Sequence, residues 1–309
     1  MENPMNMEQR NETESTSKSP YEARTPRITL ENGVVLSAET RRMFDEAIGA
    51  MRHHKTIYDD WGFGEVDPMG RNMVLNFYGP PGTGKTLAAE ALAGTLDRKY
   101  FHIGIAELES KFVGETAKNI SAAFSAAASE ASLLFFDEAD TLLGARLSSV
   151  TQGIDNEINA MRSTLLIELE RFEGVVVFAT NFAKNYDSAF VSRIRYHIEF
   201  KLPDLEGRKL LWQRLLVPRI PLEERIETLI ERAAIASEGL SGRELRTVMR
   251  TALPRALVAN PDKACVRWED FESAIRDVKN ANENVGKRRR EPRSDASVEM
   301  GRSAMGLSD

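Results

Sequence analysis

Eight residues, Gly79-Pro80-Pro81-Gly82-Thr83-Gly84-Lys85-Thr86, constrain this chain more than any other stretch. They fit G-x-x-x-x-G-K-[ST], a glycine-rich turn whose backbone N–H groups wrap the phosphates of a nucleotide. Ahead of the turn runs Met73-Val74-Leu75-Asn76-Phe77-Tyr78, apolar and short enough for a buried strand. Behind it runs Leu87-Ala88-Ala89-Glu90-Ala91-Leu92-Ala93, rich in strong helix formers. Strand, glycine turn and helix in that order give the pattern a mechanism. The glycines let the backbone bend around an anion, and the helix N-terminus adds a partial positive charge. Lys85 is expected to reach the β- and γ-phosphates and the Thr86 hydroxyl to ligate Mg²⁺, with Leu87 the last of the nucleotide contacts.

The bulk composition limits what such a site can serve. Lys plus Arg number 41 and Asp plus Glu 47, a net charge of −6, which argues against nucleic acid as the main partner. The single cysteine, Cys265, cannot form an internal disulfide and fits a reducing compartment. No apolar run approaches the roughly 18–20 residues of a membrane span. The polar start of the chain has no apolar signal-peptide core, so a cytoplasmic protein is expected. Residues 1–27 and 283–309 are polar and read as disordered tails. Between them, 28–203 reads as a large α/β domain and 204–282 as a smaller, mainly helical one.

Within the large domain, Ser37-Ala38-Glu39-Thr40 opens a helix with Met43, Phe44, Ala47, Ile48 and Met51 on one face. Trp61-Gly62-Phe63-Gly64 and Asp67-Pro68-Met69-Gly70 read as a turn-rich link; Trp61 and Phe63 either pack as a satellite of the core or wall the nucleotide base. Tyr100-Phe101-His102-Ile103-Gly104-Ile105 reads as a strand. Beyond it, Lys111, Phe112, Val113 and Gly114 place a large apolar side chain in a charged loop, a place to grip an extended polypeptide. A helix is expected over 118–129 and another from Ile154, with Ile158, Met161, Leu165, Leu169 and Phe172 in step.

Leu133-Leu134-Phe135-Phe136 ends in Asp137 and Glu138, which reads as a central parallel strand delivering two carboxylates to its tip. Asp137 is expected to hold the Mg²⁺ shell and Glu138 to orient or deprotonate an attacking water. Val175-Val176-Val177-Phe178-Ala179-Thr180 reads as a third parallel strand ending in Asn181, whose amide can hydrogen-bond that water or the γ-phosphate. Arg193, on a short helical stretch, reads as an arginine offered to the γ-phosphate of a neighbouring subunit, and Arg195 as a weaker candidate. In the second domain Ser241 and Glu244 form an S-x-x-E capping box, so a helix starts there. Arg243 in its first turn opposes the helix dipole, which points to an anionic ligand such as a phosphate.

Taken together these residues resemble the AAA+ ATPases over about residues 28–280: Walker A at 79–86, Walker B at 133–138, a sensor-1 Asn181 and an arginine-finger region around Arg193. The resemblance implies an α/β P-loop NTPase, its parallel sheet sandwiched by helices, with a helical lid. It implies ATP and Mg²⁺ as cofactors and a homohexamer with substrate loops lining a central pore. Lys111-Phe112-Val113-Gly114-Glu115 looks like the first pore loop of the protein-remodelling branch. Glu238-Gly239-Leu240-Ser241-Gly242-Arg243 and Asp187-x-Ala189-Phe190-Val191-x-Arg193 look most like the pachytene-checkpoint ATPases, bacterial type. Those remodel HORMA-domain proteins, and bacterial relatives work beside cyclic-oligonucleotide synthases in antiphage defence. In that family the arginine at the position of Arg243 is the sensor-2 residue. The chain departs from the eukaryotic members in having residues 1–27 where they carry a substrate-binding domain. It departs from many remodelling relatives in Ser192, which interrupts a longer arginine cluster. Three alternatives stay open: a motor or loader acting on nucleic acid, a general protein-unfolding ATPase with another substrate, and a nucleotide-gated switch that binds partners without working on them.

Overall fold

The computed structural model describes residues 21–67, 70, 72–108, 115–144, 154–181, 186–259 and 265–284. The chain divides into two compact units after Lys201. In the first, Ser37 caps α1 (Ala38–Arg52) by accepting from the Thr40 N–H. The link that follows is not a plain turn. It forms a π-type turn over Thr56–Asp60 and a 3₁₀ turn over Phe63–Glu65, and leaves Trp61 76% and Phe63 46% exposed. Then come β1 (Met73–Tyr78), α2 (Lys85–Thr95), β2 (Tyr100–Gly104), α3 (Ile105–Leu108) and α4 (Glu115–Ser129). Ile105, expected at the end of a strand, opens α3 instead. The unit continues with β3 (Leu133–Asp137), α5 (Asp140–Leu143), α6 (Ile154–Arg171), β4 (Val175–Thr180), α7 (Ser188–Val191) and β5 (Tyr196–Glu199).

The strands form one parallel sheet in the order β2-β3-β4-β1-β5, so all of their carboxyl ends share an edge. Alternation then sorts the side chains. Val74, Phe101, Ile103, Leu134, Phe136, Val176 and Phe178 pack on one face against α3 to α7. Met73, Leu75, Phe77, Leu133, Phe135, Val175, Val177 and Ile198 pack on the other against α1 and α2. Because both faces are covered, the central strands are apolar at nearly every position, which is why they read so plainly from the sequence. β5 did not: it has four residues and only Ile198 fully buried, too little periodicity to separate from loop.

Residues 21–27, expected to be part of a disordered tail, are held against the sheet and α2. Arg24 exchanges both backbone hydrogen bonds with Tyr100 (2.8 and 3.0 Å), partly covering the open edge of β2. Arg27 bonds Glu90 of α2 through its backbone N–H (3.0 Å) and guanidinium Nε (3.1 Å). Burial pushes the Glu90 carboxyl up, but the hydrogen bonds and charge of Arg27 outweigh it and hold the group below its ordinary value. The chain then passes so close to α2 that a Cβ on Gly94 would lie 2.1 Å from the Ile28 carbonyl oxygen.

The second unit holds α8 (Leu205–Leu215), α9 (Ile226–Ala236), α10 (Gly242–Ala259) and α11 (Trp268–Asn284). They pack around Trp212 and Phe271, edge to face at 5.9 Å, with the Trp212 indole N–H donating to Ser237 Oγ at 3.0 Å. The capping box forms: Glu244 N–H donates to Ser241 Oγ at 3.4 Å and Ser241 N–H donates to Glu244 Oε2 at 2.6 Å. Among the described residues no helix is long and apolar enough to cross a membrane.

The Gly94 approach gives a test with a definite sign. Helix propensity alone favours alanine over glycine by about 1 kcal/mol. The clash with Ile28 reverses it, so Gly94→Ala should lose about 1–3 kcal/mol and lower the thermal unfolding midpoint. A raised midpoint would show that residues 24–30 do not lie against α2.

Candidate active site

The carboxyl edge of the sheet collects the polar residues that the sequence singled out. Gly79 leaves β1 with φ 142° in a position where a Cβ would meet the Phe200 carbonyl oxygen at 2.1 Å, so only glycine fits. Gly82 and Gly84 also take positive φ, and Gly84 is the N-cap of α2. Backbone of this kind turns successive N–H groups toward one anion. Lys85 follows directly and is buried. Its ammonium donates to the Gly79 carbonyl (2.7 Å), the Pro80 carbonyl (3.0 Å) and Asn181 Oδ1 (2.9 Å). A buried cation needs this many acceptors to offset lost hydration. The Thr83 hydroxyl donates to the Pro80 carbonyl at 2.8 Å and closes the turn. Pro81 is exposed and Leu87 half-buried.

Asp137 ends β3 and receives donors on both oxygens. Thr86 Oγ1 bonds Oδ2 at 2.9 Å, His102 Nε2 lies 3.3 Å from the same atom, and the Glu138 backbone N–H donates to Oδ1 at 3.0 Å. Burial pushes this carboxyl up, and the bonds from His102, Thr86 and Glu138 more than reverse it, so the group sits below its ordinary value. It is therefore anionic throughout the neutral range. Glu138 itself is exposed and takes φ 56°, the left-handed region that glycine favours. Asn181 is fixed at both ends, its side chain by Lys85 and its backbone N–H by Asp140 Oδ1 at 3.0 Å.

A hydroxyl and a carboxylate oxygen in contact are the donor set that a magnesium ion takes when the remaining positions go to phosphate and water. The residues present fit that ion, and Thr86 and Asp137 are the two that would hold it.

Other expected site residues are not among these contacts. Arg193 stands apart from this cluster and is paired inside the chain: its Nε donates to Glu170 Oε1 at 3.2 Å, Nη2 reaches the same carboxylate, and Nη1 donates to the Ala189 carbonyl at 2.8 Å. Arg195 lies against the Tyr58 hydroxyl, where burial and the Asp67 carboxylate push that group up and the guanidinium pulls against them. Arg243 sits exposed in the first turn of α10, in the second unit. Lys111, Phe112, Val113 and Gly114 lie outside the described residues. Sequence reasoning missed His102, Asp140, Glu170 and the arginines at 24 and 27. For His102 the only signal was its place in the alternation Tyr100-x-His102-x-Gly104, which marks a face without saying what lies on it.

The family model described as "ATPase family associated with various cellular activities (AAA)" matches residues 75–202. A putative 26S proteasome regulatory subunit homolog of Methanocaldococcus jannaschii is 31% identical over 291 residues, covering 90% of this chain and 72% of that protein. The chain belongs to the AAA ATPase family. A proteasome-activating nucleotidase of Methanopyrus kandleri is 33% identical over 205 residues, covering 64% of this AAA chain and 46% of the relative. The chain thus spans under half the length of that protein. The crystal structure of the FIGL-1 AAA domain superposes with a TM-score of 0.65 at 22% identity, over 93% of this chain and 91% of that one, which shows the same fold. The expectation of an AAA+ P-loop fold is met; the comparisons do not reach the pachytene-checkpoint branch.

The left-handed backbone at Glu138 separates stability from chemistry. A non-glycine residue there is strained by about 1–2 kcal/mol. Glu138→Gly should therefore unfold at the same temperature or slightly higher, and lose any nucleotide hydrolysis in which the Glu138 carboxylate takes part. A clear drop in midpoint would show that the strain is not present.

Proposed function

We propose that this chain hydrolyses ATP and uses the cycle to unfold or remodel a protein substrate, working as a homohexameric ring. The observation that carries the proposal is the contact between three strand ends: Lys85 beyond β1 bonds Asn181 at the end of β4, and Thr86 bonds Asp137 at the end of β3. A phosphate cradle, a metal-binding pair and a polar amide side by side suit phosphoryl transfer, which needs positioning and charge neutralisation more than covalent chemistry. Bound magnesium supplies neutralisation of the phosphate oxygens. The protein's own part is to hold the phosphates on the Gly79–Thr86 loop and Lys85, to orient a water with Glu138 and Asn181, and to keep Asp137 anionic. Arg193 from a neighbouring subunit and Arg243 are proposed as further phosphate contacts, the roles that the family resemblance implies.

Protein as the substrate is supported by the relatives, which are named for activating or regulating the proteasome. Phe112 is the proposed grip on an extended segment. A HORMA-domain signalling protein, with a cyclic-oligonucleotide synthase and antiphage defence as its setting, is the finer proposal. It rests on the likeness of residues 187–193 and 238–243 to the pachytene-checkpoint ATPases.

Glu138→Gln should bind ATP with little change and reduce turnover by about 10²-fold or more, the usual worth of a general base. Normal turnover in that variant would remove Glu138 from the mechanism. Phe112→Ala should retain most basal hydrolysis and fail to convert a purified HORMA-domain protein to its open form. Failure of the unaltered chain on that protein, with success on an unrelated unfolded polypeptide, would leave the general unfoldase and reject the HORMA reading.

A further inference from the structure

His102 and Arg24 belong to no motif described above, yet they connect the strap ahead of α1 to the carboxylate at the end of β3. Arg24 Nη1 lies 3.0 Å from His102 Nδ1, and His102 Nε2 lies 3.3 Å from Asp137 Oδ2. The donors fix the direction of both bonds. A guanidinium has N–H groups and no acceptor, so Nδ1 must accept, and the ring proton sits on Nε2, aimed at Asp137. The ring plane is held as well: Phe135, opposite His102 in the β2–β3 register, stacks on it at 5.0 Å. Arg24 is held in turn by its paired backbone bonds to Tyr100, two residues from His102 on the same face of the strand. Three residues further along the strap, Arg27 grips Glu90 on α2, the helix that opens with Lys85 and Thr86.

We propose that His102 is a positioning residue for the Asp137 carboxylate, that Arg24 sets its tautomer, and that residues 24–27 thereby couple the strap to the magnesium–nucleotide site. This rests on the nucleotide reading of the site given above. Asp137 has two oxygens and must present one to the metal together with Thr86. A donor from His102 selects the rotamer in which it does so, as hydrogen-bonded partners of metal ligands do in general. A movement of the chain ahead of Arg24 reaches Asp137 through two hydrogen bonds. The strap is therefore a route by which a displacement of residues 21–27 changes affinity for magnesium-bound nucleotide.

The test is a titration of the full chain with a fluorescent non-hydrolysable ATP analogue, with magnesium and again with excess EDTA. His102→Leu should weaken binding about 10-fold with magnesium, at the lower end of the range for such partners, and less than about twofold in EDTA. His102→Gln, which keeps an N–H donor, should recover most of the loss. Arg24→Ala should show a smaller loss of the same magnesium-dependent kind. The Arg24→Ala/His102→Leu double variant should be no weaker than His102→Leu alone, because Arg24 acts only through the ring. Equal losses with and without magnesium, unchanged affinity in His102→Leu, or multiplying losses in the double variant would each overturn the relay. Should His102→Leu not fold, the exposed Arg24→Ala change still decides: an unchanged magnesium dependence overturns the proposal. Lys85→Ala in the same titration separates the two levels. If it binds normally in both conditions the nucleotide reading itself fails, whereas its loss beside a normal His102→Leu defeats the relay alone.

Discussion

The parallel pairing of β1 with β4, Met73 against Val175 through Tyr78 against Thr180, is the constraint on which the site depends. That register ends both strands at the same level, so the loop after Tyr78 and the amide after Thr180 emerge side by side. The Lys85 ammonium then spans them, taking carbonyls from one and Oδ1 from the other. A slip of one residue would exchange the β4 side chains that pack against α3 to α7 with those that pack against α1 and α2, so the fitted packing of the two faces holds the site in register. The pairing of β3 with β4 extends the same logic to Asp137.

Around that frame the site breaks local rules. A lysine is buried, and a glutamate occupies backbone that suits glycine. Each is unfavourable alone and is held by its surroundings: the lysine by three oxygens, the glutamate by the ordered ends of β3 and α5. Departures of this kind gather where structure serves chemistry rather than stability. The arginine expected to act between subunits is, within one chain, paired with Glu170, so donation to a neighbour requires that pair to open.

The sheet was legible because three of its strands are buried on both faces and written as apolar runs, broken only by Asn76 in β1. The phosphate turn was legible because glycine spacing and a lysine at the helix start are a local chemical requirement. Asp137, Glu138 and Asn181 could be placed because each lies within two residues of the end of such a run. What escaped was set by pairing rather than by local pattern. β5 is recognisable only once β1 offers it an edge. The strap at 21–27 is polar and poor in apolar residues, so composition marks it as disorder; its order comes from backbone bonds to Tyr100 and from Glu90. His102 gains meaning only when β2 lies beside β3, and Glu170 only when α6 and α7 bring it to Arg193.

The central claim is that a hydrolysing site is built at this sheet edge and completed by an arginine from the next subunit. Mixing Lys85→Ala with Arg193→Ala chains and measuring ATP turnover across mixing ratios tests both halves at once. Each variant alone should be nearly inactive, and mixtures should recover activity that peaks near equal proportions, because an intact Lys85 site then meets an intact Arg193 neighbour. No recovery at any ratio between variants that still assemble, or full turnover by Arg193→Ala alone, would contradict the account.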